Sequence, residues 1–336
     1  MAQEGITRYE TAGGARIYRL PVQVFPALRA YVHLVIADDY VALVDTGSGQ
    51  GSSDADLREG MARIRDAWDE AVDWADIDRI VLTHAHIDHH GGLNFVRSLT
   101  PAPLAVHELD RRVIVNHEER LTLTRFRLGV FLRRAGVDDA RRTRMLAMYS
   151  GAKHSVRSMP VDDVLRDGDM LDGIFRVIHV PGHCPGQVCL QIDDILLTAD
   201  HVLPNFSLFL SPESLTASNG VDHFLLSLRK VAALSDVRLG LGGHDRPVLD
   251  LGAAVAKIEA TQRQHIERVY QACTRPSTIA ELTARLYPFV RDYDELLALQ
   301  KVGAYVEYLD QRGMLAVANL AEVAEDDAAA PRYLAV

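Results

Sequence analysis

Apolar and polar positions along this 336-residue chain follow two different periods. Near the start, short β-rich runs at residues 16–22, 31–37 and 40–44 read as strands, the third ending in Asp45-Thr46-Gly47. Residues 54–72 switch to helical spacing, with Leu57, Met61, Ile64 and Trp68 on one face. The apolar run Ile80-Val81-Leu82 predicts a buried strand, Gly91-Gly92 opens a helix over 93–99 stopped before Pro101, and 104–106 is another short strand. From 107 to 158 the pattern is helical throughout, including 121–134 and 138–149. Strands resume at 175–180, 188–192 and 195–198. A helix follows over 221–234, then a strand leading into Gly240-Leu241-Gly242-Gly243-His244.

After Pro247 the strand signals nearly vanish. Helices are predicted over 253–273, 278–286 and 292–311, with a short strand at 314–318. Ser277 or Thr278 caps the second helix, with Glu281 at the reciprocal capping position, and Gly313 ends the third. The pattern predicts an α/β domain over 1–250 with a helical insert at 107–160. Three helices and a ribbon over 251–320 read as a small winged-helix domain, and 321–336 as a mobile tail. No repeat at solenoid periods is visible.

The chemistry concentrates in Thr83-His84-Ala85-His86-Ile87-Asp88-His89-His90, directly after the Ile80 strand. His and Asp are ligands suited to zinc, iron or manganese. The His-x-His-x-Asp-His spacing does not fit one helix face, and it is not the zinc-protease His-Glu-x-x-His pattern. It fits a loop wrapped around a metal. Three later positions stand at strand ends as well: His183 in Pro181-Gly182-His183-Cys184-Pro185-Gly186, Asp200 after 195–198, and His244. Several strands of one sheet can present such side chains to one point.

Composition narrows the setting. Nearly half the residues are hydrophobic, 48%, which argues against disorder. No run approaches the roughly 18 apolar residues of a membrane helix, and the polar start lacks a signal-peptide pattern. Cys184, Cys189 and Cys273 make no disulfide framework, so a reducing cytoplasm is the simplest location. The net charge of −10 disfavours general nucleic-acid binding. The insert is the exception, with eleven Arg and one Lys against six acids over 107–160. It reads as a lid, a homodimer contact, a binder of an anionic substrate such as a coenzyme A thioester or RNA, or a packed helix with a solvated basic face.

Asp45-Thr46-Gly47, His84-x-His86-x-Asp88-His89, Pro181-Gly182-His183, Ala199-Asp200-His201 and Gly243-His244 occur in the order found in the metallo-β-lactamase superfamily, which the chain resembles over roughly 15–250. The helical C-terminal part resembles the winged-helix extension of the lactamase-β-like hydrolase branch. The resemblance implies an αββα sandwich and two divalent metal ions, zinc first, with manganese or iron also suited. His84, His86 and His183 would hold the first metal, Asp88, His89 and His244 the second, and Asp200 would bridge them with a hydroxide. Such a hydroxide attacks a carbonyl or phosphoryl centre, and Asp88 could orient it. Three departures stand out: Ala199 where Gly is frequent, Cys184 where Ser or Thr is, and Asp245 where Gly follows the last His.

Asp45 is read as a hydrogen-bond partner of a ligand His. His201 and Asn205 are candidate oxyanion donors, with a structural loop as the alternative. His90 is read as a packing residue and Cys184 as a small buried one rather than a reactive thiol. The leading function is a metal-dependent hydrolase of an ester, thioester or lactone, acting on a small molecule for which the basic insert favours an anionic group. The alternatives are a phosphodiesterase or ribonuclease with the same dinuclear site, and a mononuclear iron persulfide dioxygenase-like oxidoreductase. Against nucleic acid stands the third C-terminal helix, where Asp294, Glu295, Glu307 and Asp310 outnumber Lys301.

Overall fold

A computed structural model describes residues 5–151, 153–206 and 208–336. The first sheet follows chain order: β1 (Thr7–Glu10), β2 (Arg16–Phe25), β3 (Leu28–Ala37), β4 (Tyr40–Val44), β5 (Arg79–Val81), β6 (Leu104–His107) and β7 (Asp163–Leu165). Pairing is antiparallel up to β4 and parallel from there to β7. The second sheet, from one edge to the other, is β12 (Leu239–Gly242), β11 (Ile195–Ala199), β10 (Val188–Ile192), β9 (Phe175–His179) and β8 (Met170–Leu171). The short strands β7 and β8 escape the sequence pattern. At three and two residues they are too short for alternation to show.

Strand alternation builds the layers. In β2 and β3, Ile17 and Val35 point between the sheets, where they meet Phe175, Val177, Leu190 and Leu197 of the second sheet. Their neighbours Tyr18 and Leu34 point outward, onto Leu57, Met61 and Ile64 of α1 (Ser53–Trp68). The outer face of the second sheet, through Ile178 and Leu196, packs on Phe224 and Leu228 of α7 (Val221–Ala232). Helix, sheet, sheet, helix is the order expected of the sandwich.

The connection from β6 to β7 holds the insert: α4 (Glu108–Val115), α5 (His117–Arg134) and α6 (Asp139–Gly151). The C-terminal part holds α8 (Leu251–Ala272), α9 (Ile279–Leu286) and α10 (Asp292–Asp310). The two share one core: Leu128, Leu132 and Met145 of the insert lie in the same cluster as Val255, Ile258, Leu299 and Tyr305. Arg141 of α6 pairs with Glu295 of α10. Glu307 of α10 accepts the backbone N–H groups of Glu213 and Ser214, at 2.6 and 3.0 Å. Thr278 and Glu281 form the expected capping box. Residues 321–336 include most of α11 (Leu320–Glu325) and β14 (Tyr333–Ala335), which pairs antiparallel with β13 (Leu315–Val317). Among the described residues no helix is long and apolar enough to cross a membrane.

Candidate metal centre

Strand ends on the two sheets converge on one point. Asp45 follows β4, His84 follows β5, His183 lies four residues beyond β9, Asp200 follows β11 and His244 lies two beyond β12. The His-rich segment is a loop only in its first half. Asp88 and His89 belong to a single helical turn, α2 (Ile87–His90), with His86 at its N-cap.

Two groups of candidate ligands result. One is His84, His86 and His183; the other is Asp88, His89, Asp200 and His244. Within each, ligand atoms lie within 4.8 Å of one another. Asp200 connects the groups. Its Oδ2 lies 3.9 Å from Nε2 of His84, 3.6 Å from that of His183, 3.4 Å from that of His89 and 3.5 Å from that of His244. Asp88 Oδ2 is 3.3 Å from His244 Nε2. His84 Nε2 and His86 Nδ1 are 3.1 Å apart.

The outer nitrogens are anchored, which fixes the tautomers. His183 Nδ1 donates to the Phe209 carbonyl at 2.8 Å and His244 Nδ1 to the Arg29 carbonyl at 2.6 Å. A carbonyl only accepts, so these rings carry a proton on Nδ1 and turn Nε2 inward. His89 Nδ1 meets Asp45 Oδ2 at 2.9 Å, and Asp45 also accepts the N–H and hydroxyl of Thr83. Arg19, buried in β2, donates to the Asp245 carbonyl at 2.5 Å and so holds the loop that carries His244.

The donor set fits cations. Nε2 of His89 and His183 and Oδ1 of Asp200 are buried without a hydrogen-bond partner, a costly state for polar atoms unless something binds them. Burial, then neighbouring imidazoles, pushes His84 and His86 well below the ordinary value, and burial also lowers His183. These three are neutral and able to coordinate. Burial opposes charge on His89 and His244 too, but the surrounding carboxylates outweigh it and raise both. Burial likewise opposes ionised Asp88 and Asp200, yet the imidazoles hold both well below the ordinary carboxylate range. Protons therefore balance the two carboxylates where a divalent ion would otherwise do so.

Gly243 leaves room for this arrangement: a Cβ there would come 2.6 Å from His89 Cε1 and 2.7 Å from Asp200 Oδ1. Two of the sequence departures have a backbone meaning. Ala199 and Asp245 stand at φ 46° and 62°, the left-handed region that favours glycine.

The other expected residues fall elsewhere. His201 is fully buried, edge-on to Phe224 at 5.1 Å, and burial pushes its imidazole down to about 3. Asn205 is tied into its loop, bonding Asp245 and accepting from Lys257 Nζ at 2.7 Å. His90 donates Nδ1–H to the His86 carbonyl at 2.9 Å. Cys184 is a buried thiol 3.2 Å from Asp110 Oδ2, and burial followed by that carboxylate pushes its pKa well up.

Asp110 itself was not expected. It is fully buried on α4 and accepts the N–H groups of Ala85 and Gly186, both at 2.8 Å, which ties the His84–His86 loop to the loop of His183. Its signal lay in the sequence as an acid four residues before Ile114 on a buried helix face.

Comparison with known proteins agrees with this geometry. The sequence model described as "Metallo-beta-lactamase superfamily" matches residues 26–244. A Bacillus subtilis (strain 168) protein named "Probable metallo-hydrolase YqjP" is 23% identical over 82% of this chain and 86% of its own length. The bovine "Acyl-coenzyme A thioesterase MBLAC2" is 32% identical, but the match spans 52% of this chain and 58% of that protein. Among solved structures, a metallo-beta-lactamase family protein of Thermus thermophilus, TTHA1429, superposes with a TM-score of 0.77 at 25% identity, covering 95% of this chain and 98% of that one.

Proposed function

The chain is a metallohydrolase that belongs to the metallo-β-lactamase superfamily, and from that premise we propose that it hydrolyses an acyl ester or thioester at a dinuclear centre, with zinc the foremost metal. The observation that carries this reading is Asp200 Oδ2, set between four imidazole nitrogens drawn from both ligand groups. His84, His86 and His183 would hold one ion, Asp88, His89 and His244 the other, and Asp200 both. When bound, such ions lower the pKa of a shared water towards neutrality and polarise a carbonyl.

The chain's own groups do the rest. The carbonyls of Phe209 and Arg29 and the carboxylate of Asp45 hold the ring planes of His183, His244 and His89. Asp88, partly exposed at the mouth, accepts the hydrogen bond that orients the attacking water. The stretch shared with the thioesterase MBLAC2 supports an acyl substrate, and a thioester first among them.

The test is a panel of acyl thioesters, aryl esters and lactones offered to the metal-loaded protein, with Asp200→Ala as the control. Turnover of one class, lost in the variant while its circular dichroism is unchanged, is the expected result. Equal turnover by the variant would sink the reading.

A further inference from the structure

We propose that the outward face of α5 docks the protein peripherally on an anionic lipid bilayer, with Phe126 and Leu123 entering the interface and the arginines around them meeting lipid phosphates. The inference goes beyond the hydrolase reading and does not depend on it.

The helix has two unlike faces. Leu128 and Leu132 are buried in the core shared with the C-terminal helices. Gly129 turns to α6, where a Cβ would come 3.4 Å from Leu146 Cδ1. The opposite side is open. Phe126 is 70% exposed and Leu123 39%. Arg125, Arg127, Arg133 and Arg134 are exposed as well, and Val130 is half-buried. At about 100° per residue, Phe126, Val130 and Leu123 stand side by side, with Arg133 on one flank and Arg127 and Arg134 on the other. These six fall within about a third of the helix circumference.

The charges on this face are open to an outside partner. Among the described residues, Arg125, Arg127, Arg133 and Arg134 have no carboxylate within ion-pair distance. Other arginines of the insert do: Arg141 reaches Glu295, and Arg142 reaches Asp139. The acids of α5 itself are already engaged. Glu119 pairs with Arg112 and Arg120, at 3.0 and 2.8 Å, and Glu118 accepts from the Ser158 hydroxyl.

Charge complementarity selects the occupant. Residues 107–160 carry an excess of six positive charges and the remainder an excess of sixteen negative ones, for the net −10. An anionic surface therefore repels most of the molecule and attracts this face, so the charge distribution orients the protein as well as attaching it. A helix face with an apolar centre between guanidinium groups suits a bilayer interface, which admits Phe126 and Leu123 among the headgroups while phosphates meet the arginines. A nucleic-acid duplex would meet the arginines and leave the two apolar side chains in water.

The experiment is co-sedimentation with vesicles of phosphatidylcholine alone and of phosphatidylcholine mixed with phosphatidylglycerol. At about fivefold per arginine, the wild type should bind the acidic vesicles about a hundredfold or more tighter than the neutral ones, and raised salt should release it. Phe126→Ser should lose about fivefold of the acidic-vesicle binding. Arg127→Gln combined with Arg134→Gln should lose about tenfold or more. Lysine at the same two positions should keep the binding, because a bilayer reads charge rather than the guanidinium fork. All three side chains are exposed, so circular dichroism should match the wild type; if the glutamine pair fails to fold, Arg125→Gln with Arg133→Gln replaces it. Equal binding to neutral and acidic vesicles, or acidic-vesicle binding unmoved by both the arginine and the phenylalanine changes, would overturn the proposal. Absence of vesicle binding would overturn it too. Sedimentation velocity and titration with poly(U) RNA then show whether the face takes a second copy of the chain or a nucleic acid, either of which displaces the bilayer as its partner.

Discussion

Replacing Asp110 with Ala perturbs the centre without touching a ligand. The carboxylate accepts two backbone N–H groups at 2.8 Å, one from Ala85 between two ligand histidines and one from Gly186 beyond His183. Its removal leaves a half-buried and a fully buried donor without acceptors. At about 1 kcal/mol for the first and up to about 3 for the second, the loss is about 2–4 kcal/mol before any cavity cost. Burial already pushes the Asp110 carboxyl above its ordinary value, so shedding that cost places the net loss toward the lower end. The space cannot close from the other side, because Gly186 has no side chain: a Cβ there would come 2.5 Å from Asp110 Cγ. Asp110→Asn keeps one acceptor oxygen and should lose about half as much. Urea unfolding measures the stability. Competition with a chelator measures metal affinity, which should fall by about tenfold or more as the two loops separate, since partners behind metal ligands carry effects of about that size. A loss under about 1 kcal/mol in Asp110→Ala with unaltered metal affinity would refute the reasoning.

Gly243→Ala should abolish metal uptake while the sandwich folds, because the added methyl would occupy the space between His89 and Asp200; elemental analysis of a variant with native circular dichroism checks this. His107, buried and stacked 3.9 Å from His179, is pushed down to about 4 by burial, with the His179 charge adding to the effect. An unfolded histidine titrates near about 6.5, so between that value and about 4 the unfolded chain binds more protons. Stability therefore rises with pH across this window and is lost as pH falls through it, by at most roughly 3 kcal/mol. His107→Asn keeps an acceptor for the Leu109 N–H and removes the titration, so its acid-unfolding midpoint should lie at lower pH than that of the wild type.

The layers of this fold were legible because hydrophobic patterning reports directly on packing: the β-rich runs at 16–22 and 31–37, and helical spacing at Leu57, Met61 and Ile64, each place residues in the cores they occupy. The ligand candidates were legible because each closes or follows a strand, so local sequence fixes both identity and direction. What stayed hidden depends on contacts across the chain. Asp110 meets Gly186 from 76 positions away and Arg19 meets Asp245 from 226; no local pattern encodes those meetings. Nor could the tail's Glu-Asp-Asp and alanine run betray that Tyr333 would pair with Val317.

Metal content per chain tests the central claim most directly, by elemental analysis of protein purified with neither added metal nor chelator. Two ligand groups joined by Asp200 predict about two divalent ions per chain, zinc foremost. A single iron, or less than one ion of any kind, would contradict the dinuclear hydrolase.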